Sequence, residues 1–168
     1  SITFPKTVGQ IEFNFPFKPG SQDPQRSKNG WGKTRVNGAL YPFGYGLSYT
    51  TFDYSNLQVS PEKEHQQGDV KVSVDVTNTG QRQGDDVVEL YIKQEYSDVT
   101  VYEYDLRGFE RVPLAPGEKK TVHFTIHPGD LAILDKNMNW TVEPGKFEAM
   151  IGQSSEDIKL KKEFEVVK

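Results

Sequence analysis

Val70, Val72, Val74 and Val76 alternate with Lys71, Ser73, Asp75 and Thr77. Successive side chains of a strand point to opposite faces, so a period of two gives one dry face and one wet face. A helix would scatter the same valines around its axis, and a half-buried antiparallel strand would not. This pattern predicts a strand within Gly68–Thr79, and it recurs. Asp86 to Gln94 sets Val88, Leu90 and Ile92 on one face, with Val87 and Tyr91 on the other. Lys120 to His127 turns Val122, Phe124 and Ile126 inward. Tyr54–Ser60 is a short strand, Tyr102–Arg111 another with Gly108 as a bulge, and Ile158, Leu160, Phe164 and Val166 lie on the last. Trp140–Glu143, the turn Pro144-Gly145 and Phe147, Ala149 and Ile151 read as a hairpin in which Trp140 packs. Pro128–Leu134 allows a single helical turn. Short strands with turns every 8–12 residues predict an all-β, two-sheet sandwich of immunoglobulin-like type. The ten prolines and fifteen glycines suit such a turn-rich chain.

Ahead of the strands stands an aromatic latch, Leu40 to Tyr54, LYPFGYGLSYTTFDY. Its rings can each bury about 150–250 Å², while Gly44, Gly46 and Pro42 forbid a regular helix or strand. Phe43, Tyr45, Tyr49 and Phe52 are its candidates for packing between domains. Further back, Ile11, Phe13, Phe15 and Phe17 alternate, which is a strand signal, although Pro16 restricts it to an edge or an extended coil. Two readings stay open for this stretch. It packs on the following sandwich, or it faces a partner as the last piece of a preceding domain. Residues 18–39 form a long polar loop around Trp31, the type of loop that tends to be functional or mobile.

Charge and composition exclude several classes. The net charge is −4 with both signs interspersed, which argues against a nucleic-acid or anionic-membrane surface. No run approaches the roughly 18 apolar residues of a membrane span, and no signal-peptide pattern opens at Ser1. Without cysteine there are no disulfides or thiolate metal sites. His123 and His127 would lie roughly 13 Å apart along one strand face, too far to share a zinc ion. His65 sits in a charged loop. Asp85 and Asp86 point to opposite faces of a strand, or lie in a solvated turn. Trp31, Tyr96 and Tyr102 are the candidates for stacking on a sugar ring; for the tyrosines, packing at an interface is the competing reading. Asn139-Trp140-Thr141 fits the N-glycosylation sequon, which matters only in a source that uses that pathway.

PFGYGLSYTTFDYSNL resembles the segment that closes the second domain of family 3 glycoside hydrolases and leads into their C-terminal fibronectin type III-like domain. VSVDVTNTGQRQGDDVVELYI, LRGFERVPLAPGEKKTVHFTI, DLAILD and WTVEPGKFEAMIGQSS follow in the order of that domain. The resemblance implies a fibronectin type III-like sandwich over residues 54–168. Residues 1–53 would be an irregular tail of the preceding α/β domain plus linker. It also implies a parent enzyme that hydrolyses β-glucosides or β-xylosides with retention, needs no cofactor and works in the periplasm or outside the cell. The partners would be the upstream catalytic domains and the parent's oligosaccharide substrate. Retaining glycosidases use two carboxylates about 5–5.5 Å apart. The family's nucleophile, an Asp usually followed by Trp, has no counterpart here. Of the acids before Leu40, Glu12 and Asp23, neither sits in a matching motif. No catalytic, cofactor-binding or metal-binding residue is therefore assigned, and the chain alone is expected to be non-catalytic. The alternative is a stand-alone glycan-binding or adhesion module.

Overall fold

The computed structural model describes residues 4–9, 14–19 and 39–168. A ribbon of β1 (Phe4–Pro5) and β2 (Ala39–Tyr41) precedes the main body. Then follow β3 (Phe52–Ser60), β4 (Lys63–His65), β5 (Val70–Asn78), β6 (Gly84–Gln94), β7 (Asp105–Leu114) and β8 (Lys119–Ile126). A single helical turn, α1 (Pro128–Leu131), leads into β9 (Ile133–Leu134) and β10 (Trp140–Thr141). The long hairpin β11 (Gly145–Ser154) and β12 (Asp157–Val167) ends the chain. One sheet has the order β3-β5-β8 and the other β4-β12-β11-β6-β7. This is the predicted two-sheet sandwich.

The valine pattern does what its period requires. Val70, Val72, Val74 and Val76 are all buried, facing Val88, Leu90, Phe147, Ile151 and Phe164 of the opposite sheet across one core. Burying a side chain of this size stabilises by roughly 1.5–3 kcal/mol before entropy is counted. The bulge falls where Gly108 predicts it. Leu90 pairs with Gly108 and Tyr91 with Leu106, so one residue is skipped. A Cβ on Gly108 would meet the Phe124 ring at 3.0 Å.

Four expectations are corrected. Residues 14–19 are irregular, as the extended-coil alternative allows, and Phe15 is only 4% exposed within the chain itself. It is therefore not partner-facing; Ile11 and Phe13 lie outside the described residues. The Trp140–Glu143 hairpin with β11 does not form. Asp135 Oδ1 instead accepts the backbone N–H groups of Asn137 (2.8 Å) and Asn139 (2.9 Å), closing a tight turn that pairs β10 with β9. Trp140 does not pack and is 72% exposed. Asp86 is no solvated turn residue: it is buried inside β6, while Asp85 on the opposite face meets Arg111 at 2.6 Å.

Candidate functional site

β6 is amphipathic twice over. Its inner face fills the core, and its outer face carries Glu89 and Tyr91, both buried although they point away from the core. The cover is the chain ahead of the sandwich. The Phe15 ring stacks on Phe43 at 4.9 Å and meets Tyr91 edge-on at 5.6 Å. Tyr104 closes the cluster and donates its hydroxyl to the carbonyl of Ser155 at 2.7 Å. The Ser155 N–H donates to the Phe43 carbonyl at 2.9 Å, tying the latch to the β11–β12 turn. Offset and edge-on ring pairs of this type add about 0.5–1.5 kcal/mol each beyond area burial.

The latch turns at Gly44. There φ is +83°, a left-handed conformation that favours glycine, and the Tyr45 N–H donates to the Pro42 carbonyl at 3.1 Å. A Cβ at Gly44 would lie 2.3 Å from a carboxylate oxygen of Glu89. Bare backbone is thus laid directly over that acid. Burial pushes the Glu89 carboxyl up to about 7; the Tyr91 hydroxyl, donating to it, pulls the other way, and the charge of Asp86 adds to the rise.

Between the latch and the β11–β12 turn lies an open groove of ≈ 580 Å³. Leu40, Tyr45 and Leu47 form its apolar side, and Asp86, Gln153 and Asp157 its polar side. Asp86 accepts hydrogen bonds from the Tyr54 hydroxyl at 2.5 Å and from Gln153 Nε2 at 2.8 Å. Burial and that carboxylate raise the Tyr54 phenol far above the ordinary tyrosine range. Asp157 is bridged by Lys159 at 2.8 Å. Asp85 and Asp86 are thus both engaged with other side chains on opposite faces, an arrangement unlike a glycosidase's facing acid pair.

The candidates for packing between domains divide. Phe43 and Phe52 are half-buried within this chain, on Phe15 and on the sandwich core respectively, whereas Tyr45 and Tyr49 project into solvent. Tyr96 and Tyr102 are exposed, with Lys18 Nζ 5.9 Å from the Tyr102 ring centroid. Trp31 lies outside the described residues. The histidines are dispersed: His127 meets Asp69 at 2.9 Å, which raises its pKa, His65 meets the Lys168 carbonyl, and His123 is exposed. Among the described residues no three His, Asp or Glu side chains converge as a metal site.

Sequence reasoning missed Glu89 and Asn78. Glu89 shares a strand face with Tyr91, and that was the available signal: an outward aromatic on a sandwich strand implies a second covering layer.

The strand order and core are those of a fibronectin type III-like sandwich. The fibronectin type III-like domain model matches residues 86–155. Over nearly its full length the chain is also similar to the C-terminal region of family 3 glycoside hydrolases, the β-glucosidases and β-xylosidases. A periplasmic β-glucosidase of Salmonella typhimurium is 39% identical over 94% of this chain and 21% of its own length. A β-xylosidase of Formosa agariphila is 39% identical over 96% of this chain and 22% of its own. Among solved structures, a β-glucosidase of Erythrobacter marinus superposes with a TM-score of 0.86 at 35% identity, covering 98% of this chain and 21% of that one. A β-glucosidase of Listeria innocua in complex with glucose gives 0.88 at 27% identity, covering 99% and 24%. The chain thus spans about a fifth of the length of these relatives. No helix among the described residues is long and apolar enough to cross a membrane.

Proposed function

We propose that this chain is the non-catalytic C-terminal module of a longer family 3 glycoside hydrolase that acts on β-glucosides or β-xylosides with retention. The observation that carries the reading is the match over 94–96% of this chain to one part of much longer β-glucosidases and β-xylosidases. Residues 54–168 are the module, and residues 1–53 the tail of the preceding α/β domain plus linker. The module's work is structural: it covers surface on the catalytic domains, whose oligosaccharide substrate is the ligand of the whole. The resemblance to a periplasmic relative favours a periplasmic or secreted site of action.

Pure chain incubated with aryl β-glucosides and β-xylosides is expected to release no phenol above the buffer rate. Measurable turnover would overturn the reading. Direct oligosaccharide affinity lost on changing Tyr96 or Tyr102 would favour the stand-alone glycan-binding alternative.

A further inference from the structure

Glu89 sits at the middle of β6, paired with Phe109 of β7 and Gly152 of β11, yet its carboxyl faces out of the sandwich and lies under the latch. Among the described residues its hydrogen-bond donor is the Tyr91 hydroxyl. A carboxylate buried this far stays ionised only with several donors or a cation at hand. Its surroundings offer neither. On β6, Asp86 is a second acid, already taken by Tyr54 of β3 and Gln153 of β11. On β7, Arg107 is held by Asp105 at 3.1 Å and Arg111 by Asp85 at 2.6 Å. At the β11–β12 turn, Lys159 is held by Asp157, and the Tyr104 hydroxyl is given to the Ser155 carbonyl. Lys18 lies against the Tyr102 ring, and Tyr45 of the latch turns to the groove. Phe15 and Phe43 complete the cover with apolar rings.

If Glu89 ionises, one side of this contact gives way more readily than the other. β6 is hydrogen-bonded to a strand on each side. The latch is fastened over Glu89 by the Ser155 N–H donating to the Phe43 carbonyl and by the Phe43 ring on Phe15. Its next anchor is the Thr50 hydroxyl on Asn78. Between these, Gly44 already turns left-handed, and a Cβ at Gly46 would meet nothing within 4 Å. Local opening takes the segment with the fewest buried contacts. We propose that Glu89 is a proton-operated catch: with its proton it holds the latch closed on β6, and on losing it the latch swings out about Gly44, parting Phe43 from Phe15 and letting water reach the carboxylate. Burial raises that carboxyl from 4.5 to about 7, so in this range the closed latch holds the proton that the open latch gives up. The device lies wholly within this chain, where residues 1–53 meet the sandwich, and adds a controlled motion to a module whose role is otherwise structural.

Hydrogen exchange on this chain tests it. The Ser155 N–H reports the latch, since its acceptor is the Phe43 carbonyl, and the amides of β5 report the sandwich. After correction for intrinsic base catalysis, protection at Ser155 should fall about tenfold per pH unit between about pH 5 and pH 7. It should stay at least about tenfold below that of β5 and should not respond to low urea, because a local opening exposes little surface. Glu89→Gln should make the Ser155 protection flat with pH. Asp105→Asn removes another carboxyl raised by burial and should leave the slope intact. Flat protection in the parent chain, or a slope that survives in Glu89→Gln or disappears in Asp105→Asn, would overturn the proposal. So would a Ser155 amide that matches β5 in protection and urea dependence, because the latch would then open only with the whole sandwich.

Discussion

Asn78→Leu is expected to cost about 3–5 kcal/mol, because it orphans several backbone and side-chain groups at once. Asn78 is fully buried at the end of β5, and its amide uses its whole hydrogen-bonding capacity. Oδ1 accepts from the Thr50 hydroxyl (2.7 Å) and the Gly80 N–H (3.0 Å). Nδ2 donates to the carbonyls of Arg82 (2.8 Å) and Leu114 (3.0 Å). One side chain thereby fastens the latch, the β5–β6 turn and the end of β7. Its backbone adds the β7–β8 turn, donating to the Glu118 carbonyl and accepting from Gly117. Leucine fills nearly the same space but leaves every one of the four side-chain partners unanswered, each buried one costing about 1–3 kcal/mol. Against a total stability of about 5–15 kcal/mol the loss is large. Urea unfolding checks it: the midpoint should fall with the slope unchanged. Thr50→Val removes only one of the four bonds and should cost about 1 kcal/mol. A loss below about 1 kcal/mol for Asn78→Leu would show that water takes over the orphaned groups.

That hub also shows where sequence reading stops. Alternation locates β5, β6 and β8, since a period of two has one physical solution when half the residues are valine, leucine or isoleucine. Gly108 foretells the bulge for a similar reason: a bulge needs a residue that tolerates local crowding. Asn78 carries no such mark. An asparagine before Thr79-Gly80 reads as an ordinary turn residue, and only the assembled fold brings Leu114 and Thr50 to its amide. Trp140 misleads in the other direction, because its hydrophobicity predicts burial while the Asp135–Asn139 turn directs its strand towards β9 instead of β11. Phe15 is the intermediate case. Its alternation with Phe17 announces a buried face, but the partner is Tyr91 on the outside of the sandwich, a contact set by tertiary packing. For the candidate site, the latch's rings were legible as a cluster. Phe43 turns inward onto Phe15 and Phe52 onto the sandwich core, while Tyr45, just past the left-handed turn at Gly44, and Tyr49 stay out.

The same turn sets the second large effect, a stability that falls as pH rises. Glu89 is 6% exposed, beneath the Gly44 backbone and beside Tyr91, and its carboxyl is raised from 4.5 to about 7. Folding therefore favours its protonated form. Linkage gives the sign: between these two values the native state binds more protons than the unfolded chain, so stability falls with pH. The contribution is fully present below about 4.5 and is lost progressively up to about 7. Glu89→Gln keeps an acceptor for the Tyr91 hydroxyl and removes the charge. At pH 8 it should stabilise by about 1–3 kcal/mol, and at pH 4.5 it should differ little from the parent chain. His127, raised by Asp69, and Asp105, raised by burial, slope the same way. Neither touches Glu89, so the difference between the two proteins across a pH series of urea midpoints isolates the one carboxyl. A glutamine variant as steep in pH as its parent, or less stable at pH 8, would mean that Glu89 is ionised and solvated in the native state. The latch would then have to lift at Gly44 to admit the water, and Phe43 would part from Phe15 with it.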